Sequence, residues 1–281
     1  MIHADLHIHT HYSDGAHSPA YLAEMARDRG VELISLTDHD TLEGLPEKRA
    51  AAEREGLLFV SGWEVSAYVG DVKVHVLGYG CEQKEEYRAF AEERKRSSLI
   101  RAEESLKKAN ALLGLHVTLE DALRERKKED VPLHTMHVVH AVARKLNMKR
   151  GKVYETYFAG GMPAYSGYGR PSPEEAIEVI HACGGIAVLA HPGRIPMEHG
   201  AREELMDRLV ERGLNGIECT HTQHTEGETE YFLSYAGARG LLKTGGSDFH
   251  AEGTERAIGS PPFYADDALL AALKLRPLGS K

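Results

Sequence analysis

Cysteine is scarce in this chain. Cys81, Cys183 and Cys219 are the only three, far apart and odd in number, which excludes a thiolate zinc pair and a regular disulfide framework. They read as buried, reduced thiols. Long apolar runs are also missing. No stretch reaches the roughly 18 residues a spanning helix needs, and the start has no charged segment leading into an apolar one, as a secretory signal would. The expected location is the cytoplasm, with no membrane partner. Positive charge is in deficit, with 34 Lys and Arg against 43 Asp and Glu, a net charge of -9. That balance argues against a general nucleic-acid surface, so no nucleic acid is expected, and it leaves room only for a local positive site.

Histidine is what the chain has in excess: 17, against 6 Phe and 1 Trp. Its 281 residues, 42% of them hydrophobic, suit one large domain or a domain with an insertion.

One pattern recurs along the chain. An amphipathic stretch ends in Gly, and an apolar, β-rich stretch follows that ends in polar residues. "SPAYLAEMARDRG" leads to "VELISLTDHD", "SPEEAIEVIHACGG" to "IAVLAHPGR", "REELMDRLVERG" to "LNGIECTHT", and "ETEYFLSYAGARG" to "LLKTGGSDFH". Ser18 and Ser172 read as N-caps with Pro19 and Pro173 at the first helical position. Gly30, Gly184, Gly213 and Gly240 stand where a left-handed C-cap belongs. Alternating helices and strands predict a parallel sheet. Four separate strands ending in His or Asp are the pattern of a β/α barrel with a metal site at its mouth.

The middle of the chain breaks the pattern. From about Tyr87 to Met162 the β-rich runs vanish. A long charged helix is predicted over "EEYRAFAEERKRSSLIRAEESLKKANALLG", followed by helices over "TLEDALRERKK", "MHVVHAVARKLN" and "KVYETYFAGG". The expected division is a barrel of residues 1–90 and 166–281, with residues 91–165 inserted as a helical cap over the active site.

The opening stretch, "MIHADLHIHTHYSDG", carries the densest chemistry. Residues i and i+2 of a strand share a face, so His7 and His9 point together, with His3 and Asp5 beside them and Leu6 and Ile8 opposite. Asp14 follows on a turn closed by Gly15. His39 ends the strand of "SLTDHD", Glu64 follows "LLFVSGW", and His75 lies in "DVKVHVLGY". His191 comes from "VLAHPGR", and Asp248 and His250 from "GGSDFH". Each alone has a bland reading: a lone His75 is more often a hydrogen-bonded core residue, and Glu64 a surface acid. Together they are six histidines and three carboxylates without a thiolate, a donor set that suits Zn, Mn or Fe. Nine ligands exceed the needs of one ion and fit two or three, if Glu64 bridges a pair. Such a cluster is locally positive and would attract a phosphate. Arg194, three residues past His191, is placed to grip one in a bidentate manner.

These motifs resemble those of the PHP (polymerase and histidinol phosphatase) family. The resemblance runs from Asp5 to His250. It implies a distorted seven-stranded TIM-like barrel and two or three divalent metal ions that hydrolyse phosphoesters. Carried onto this chain, the first ion takes His7, His9, Glu64 and Asp248. The second shares Glu64 and adds His75 and His191, and the third takes Asp14, His39 and His250. Some members of the family have His where Asp14 stands. The insertion resembles that of the nucleotide- and small-molecule-phosphoesterase branch, in which His137 would contact the substrate phosphate. Two arginines common in that branch are replaced here, by Thr135 and by Gln223 just before His224.

The expected activity is hydrolysis of a small phosphate ester, a nucleotide or sugar phosphate or a cyclic phosphodiester, releasing inorganic phosphate from a monoester. A metal-bridging hydroxide would attack phosphorus while Arg194 stabilises the developing charge. His224, His137 or a water would protonate the leaving oxygen. Two other classes stay open: an exonuclease acting on nucleic-acid ends, as in PHP domains attached to bacterial polymerases, and a non-catalytic metal-binding protein.

Overall fold

The computed structural model describes residues 1–126 and 133–275. The chain divides into two compact units. One comprises Met1–Val69, Lys73–Tyr87 and the residues from Pro171 onward; the other comprises Gly70–Val72 and Arg88–Arg170.

The first unit is mixed α/β. In chain order it begins β1 (Ile2–Ile8), α1 (Pro19–Asp28), β2 (Leu33–Leu36), α2 (Leu45–Arg54), β3 (Leu58–Phe59), β4 (Gly62–Val69) and β5 (Val72–Tyr79). The helical stretch follows with α3 (Glu85–Leu113), α4 (Leu119–Leu123), α5 (Thr135–Leu146), α6 (Arg150–Val153) and a π-helical turn over Tyr154–Phe158. The first unit then resumes with α7 (Pro173–Ala182), β6 (Ile186–Leu189), a 3₁₀ turn (Pro192–Arg194), α8 (His199–Glu211) and β7 (Gly216–His221). It ends with α9 (Glu226–Ala238), β8 (Leu242–Gly246), β9 (Phe263–Ala265) and α10 (Asp267–Ala272).

Local chemistry sets the helix ends as expected. The Ser18 side chain accepts from the Tyr21 amide ahead of Pro19, and Ser172 forms a reciprocal capping box with Glu175 ahead of Pro173. These bonds satisfy amides that the first turn leaves without partners. Gly30, Gly184, Gly213 and Gly240 all have positive φ, from 66° to 93°, a region that costs glycine nothing. The expected helix over residues 118–128 is shorter: α4 stops at Leu123, and Lys127 and Lys128 lie outside the described residues.

The strands form two sheets, ordered β3-β2-β1-β9 and β4-β5-β6-β7-β8. Neither is wholly parallel, which corrects the sequence expectation. β9 runs antiparallel to β1, and β5 antiparallel to β6. For β5 the physical reason lies in "YVGDVKV": only Gly70 and Asp71 separate β4 from β5, and a parallel crossover needs a dozen residues or more. Among the described residues, continuous strand pairing does not close the sheets into one barrel. Single bridges link Ile8 to Phe249 and His39 to Glu64.

β1 departs from simple alternation. Its register against β2 shifts between Asp5 and Ile8, so Leu6 and Ile8 do not share surroundings. Leu6 packs with Leu77, Tyr79 and Val188, whereas Ile8 packs with Leu22, Ile34 and Leu36. Bulges of this kind re-aim side chains. His7 and His9 still meet, with ring centroids 5.1 Å apart. The helical unit has its own core, built from Leu106, Val138, Val142, Val153 and Phe158 among others. Among the described residues no helix is long and apolar enough to cross a membrane.

Gly246 ends β8 against β1, where an added Cβ would lie 2.4 Å from His7 Cβ and 2.6 Å from His7 N. Gly246→Ala therefore displaces β1 and is expected to destabilise the fold by about 1–3 kcal/mol. An unchanged urea midpoint would show that the two strands part without cost.

Candidate metal centre

All nine expected ligands converge within the first unit. β1 supplies His7 and His9, the turn after it Asp14, β4 Glu64 and β5 His75. His191 follows β6, and Asp248 and His250 follow β8. Two details correct the sequence expectation. His39 lies three residues past β2 rather than at its end, and Glu64 lies inside β4 rather than after a strand. A strand buried on both faces reads as continuously apolar, which hid the register of Glu64.

Glu64 is the hub, fully buried. Its Oε1 lies 2.7 Å from His75 Nδ1 and 2.9 Å from His191 Nε2. Its Oε2 lies 2.9 Å from His39 Nδ1 and 3.4 Å from Nε2 of both His7 and His9. Asp248 Oδ1 lies 3.1 Å from His9 Nε2 and 3.5 Å from His7 Nε2. Asp14 faces His250 Nε2 at 3.3 Å, His9 Nδ1 at 3.7 Å and His39 Nε2 at 3.8 Å.

The donor set fits divalent cations. Atoms about 2.1 Å from one ion stand about 3.0–3.4 Å from each other, close to many of these separations. His7 Nε2, both His9 nitrogens, His39 Nδ1, His75 Nε2, His191 Nδ1 and Glu64 Oε2 are buried without a hydrogen bond of good geometry, a costly state for polar atoms that lack another role. Three sets of converging atoms stand out: His7, His9, Glu64 and Asp248; His39, Glu64 and His75; and His9, Asp14, His39 and His250. The first coincides with the expected first ion. In the second, His39 appears where His191 is expected, and in the third His9 joins the expected trio.

The electrostatics describe a cluster built around positive charge. Burial raises the Glu64 carboxyl, but His75, His39 and His7 outweigh it and hold the group well below the usual carboxylate range. Asp248 is lowered likewise, against its burial, by His7, His221 and His9. Burial lowers His7, yet Glu218, Glu64 and Asp248 overcome this and raise it well above an ordinary imidazole. Burial and the neighbouring His39 push His9 down to about 4.

Several residues important to this geometry were missed from sequence. Glu218, buried in β7, accepts from His7 Nδ1 at 2.9 Å and from the His191 amide at 2.7 Å. It turns His7 Nε2 toward the cluster, the usual service of a carboxylate behind a ligating imidazole. An acid inside the apolar run "GIECTH" was the available signal. His221 and Arg256 both reach Asp248 Oδ2, at 3.4 and 3.0 Å. Asp38, paired with the buried Lys48, accepts from the Thr10 amide and hydroxyl and from Ser13, and so fixes the turn that carries Asp14. Asp5 accepts from the amides of His7, Ser247 and Gly259, a structural tie.

The expected substrate residues differ in their freedom. Arg194 is 39% exposed and, among the described residues, pairs with Asp248 Oδ2 at 3.3 Å. His224 Nδ1 donates to the Cys219 carbonyl and its Nε2 accepts from the Gly193 amide, so both nitrogens are engaged. His137, in the helical unit, accepts at Nδ1 from the His134 amide, and burial followed by His134 and His140 lowers it to about 4. His11 and His17 are partly exposed and lie outside the three sets.

Comparison with known proteins identifies the family. The PHP domain profile matches residues 5–129. A 3′,5′-nucleoside bisphosphate phosphatase of Chromobacterium violaceum is 32% identical over 90% of this chain and 89% of its own. The chain belongs to the PHP family. Among other PHP relatives, a phosphoribosyl 1,2-cyclic phosphate 1,2-diphosphodiesterase of Eggerthella lenta is 33% identical, covering 88% of this chain and 94% of its own. The 5′-3′ exoribonuclease Rnm of Escherichia coli is 29% identical, covering 88% and 84%. A solved structure of an amidohydrolase from Chromobacterium violaceum, with bound sulfate and no metal, superposes with a TM-score of 0.73 at 32% identity, covering 90% of this chain and 89% of that one.

Glu218→Gln keeps the shape but removes the charge behind His7. The expected result is metal binding weakened by about 10–100-fold, read by equilibrium dialysis with metal analysis. Wild-type affinity in this variant would mean that Glu218 does not orient the site.

Proposed function

We propose that the protein is a metal-dependent phosphoesterase acting on a small phosphorylated metabolite, a nucleotide or sugar phosphate or a cyclic phosphodiester. One observation carries the reading: buried Glu64 divides its two oxygens between two groups of imidazoles, with the partly exposed guanidinium of Arg194 beside the adjoining Asp248. His7, His9, Glu64 and Asp248 would hold one divalent ion. Glu64, His75 and His191 would hold a second, and Asp14, His39 and His250 a third, with Mn, Zn or Fe as the metals. Such ions polarise phosphoryl oxygens and supply a nucleophilic water at neutral pH.

The protein's own groups divide the remaining work. Arg194 grips a phosphate oxygen. His224, which accepts the Gly193 amide through Nε2, orients the short turn that carries Arg194. Its proton is committed to the Cys219 carbonyl, and we therefore assign it to positioning rather than to proton delivery. His137, whose Nδ1 accepts the His134 amide, would meet the substrate as a neutral donor through Nε2. In this reading the strands form a distorted seven-stranded barrel, which the bridges Ile8–Phe249 and His39–Glu64 support, with residues 91–165 as its helical insertion. Relatives named as a bisphosphate phosphatase and as a cyclic phosphate diphosphodiesterase favour a small ester. The relative named as an exoribonuclease makes short RNA the second substrate class to test.

The test is release of phosphate or nucleotide by Mn- or Zn-loaded protein from nucleoside bisphosphates, sugar phosphates, cyclic phosphates and short RNA. Turnover on a small ester is expected, and Asp248→Asn should reduce it by at least about 100-fold. Turnover confined to RNA would overturn the small-ester reading. A metal-replete Asp248→Asn protein with full turnover would overturn the site.

A further inference from the structure

Asp248 is held unevenly. Its Oδ1 faces His9 and His7 at 3.1 and 3.5 Å. Its Oδ2 is met from the other side by Arg256 at 3.0 Å, Arg194 at 3.3 Å and His221 at 3.4 Å. The backbone at Asp248 is left-handed, with φ of 53°, a conformation that a non-glycine residue keeps only when its surroundings enforce it.

Gln223 joins two of these partners. Its backbone amide donates to His221 Nδ1 at 3.0 Å, so that nitrogen carries the lone pair. The proton then sits on Nε2, which points at Asp248 Oδ2. The Gln223 side-chain oxygen accepts from Arg256 at 3.2 Å, and its amide nitrogen donates to Glu255 at 2.7 Å. Arg256 also donates to the Asp248 carbonyl at 2.9 Å, beside His250 Nδ1. A guanidinium has five N–H groups in a fixed fork. Arg256 spends its fork on the carboxylate, the backbone and the glutamine, and its side chain is only 15% exposed. Arg194 spends one contact and is 39% exposed.

We propose that Gln223, His221 and Arg256 form a clamp that presents Asp248 to the metal cluster through Oδ1 alone, and that Arg256 is a positioning residue. The clamp leaves Arg194, with its single contact to Asp248 Oδ2 and greater exposure, as the guanidinium that turns to the substrate phosphate. The inference rests on the reading of Asp248 as a metal ligand. It gives Gln223 a task that a cation at its position could not perform, because a guanidinium there would repel Arg256 instead of accepting from it. Lysine cannot replace Arg256, since a single ammonium cannot span the carboxylate, the carbonyl and the glutamine oxygen at once.

The test compares Mn affinity, by equilibrium dialysis with metal analysis, and steady-state kinetics of the Mn-loaded protein. Arg256→Ala should weaken Mn binding by about 10–100-fold, with the KM for a phosphoester held within about twofold once metal is saturating. Arg256→Lys should recover only part of the affinity. Arg194→Ala should do the reverse, keeping Mn affinity and raising KM. Gln223→Ala, which removes the acceptor for Arg256 and the donor to Glu255 but keeps the backbone amide on His221, should weaken Mn binding to a lesser extent and serves if Arg256→Ala does not fold. Wild-type Mn affinity in both Arg256→Ala and Gln223→Ala, or in Gln223→Ala alone where Arg256→Ala is unfolded, overturns the clamp. Wild-type protein that binds no Mn overturns the metal reading beneath it. Wild-type protein that binds Mn but hydrolyses no ester overturns the proposed function and leaves the clamp to be decided by the affinities.

Discussion

A fully buried carboxylate must be compensated on both oxygens, and Glu64 sets this requirement at the centre of the fold. Removing an ionised acid from water costs several kcal/mol unless charge and hydrogen bonds replace the lost hydration. Here two imidazoles meet Oε1, and three stand at 2.9–3.4 Å from Oε2 without a well-formed hydrogen bond, so that oxygen still calls for a cation. Those imidazoles come from β1, β5 and the segments after β2 and β6. Each strand end must therefore sit where its ring reaches the same acid. The hydrophobic clusters on either side of β1 hold the strands, and the acid fixes where their ends meet.

The backbone bends to serve that convergence. The register shift in β1 sends Leu6 and Ile8 into separate cores while His7 and His9 stay together. His191 and Asp248 both take positive φ, 27° and 53°, and each sits directly beyond a strand. Backbone strain of this sort is sustained by the contacts around it. For His191 these include its amide bond to Glu218; for Asp248 they are the two arginines and His221. The strained residues are thus also among the most heavily held.

The sequence displayed the reactive groups more clearly than their supports. His7 and His9 at i and i+2, His191 before "PGR", and Asp248 and His250 in "SDFH" announce themselves because imidazole and carboxylate are unusual in apolar strands. The helix caps at Ser18 and Ser172 were equally plain, since capping is a local interaction. Strand direction was not, although the two-residue link at Gly70 and Asp71 contained the answer. Glu218, His221 and Arg256 were harder to read for another reason. Their meaning lies in what they touch: Glu218 and His221 meet partners 27 or more residues away, and Arg256 reaches back to Asp248 through a loop with no regular spacing. Arg256 in particular sits in a charged loop, "AEGTERA", where an arginine draws no notice.

Charge completes the physical picture. Asp14, Glu64, Asp248 and Glu218 bring four carboxylates to the cluster, and Arg194 and Arg256 bring two guanidiniums. With neutral imidazoles, the residues alone leave a net negative site that repels phosphate. Against its burial, Glu218, Glu64 and Asp248 raise the proton affinity of His7, a sign of that negative excess. Divalent cations offset it fully and then reverse it. Cation binding and anion binding at this site are therefore coupled through simple electrostatics, the first creating the field that the second requires. Under the proposed function, a clamp that keeps Arg256 on Asp248 would strengthen the coupling, because it would commit one guanidinium to Asp248 and leave the more exposed Arg194 for a phosphate.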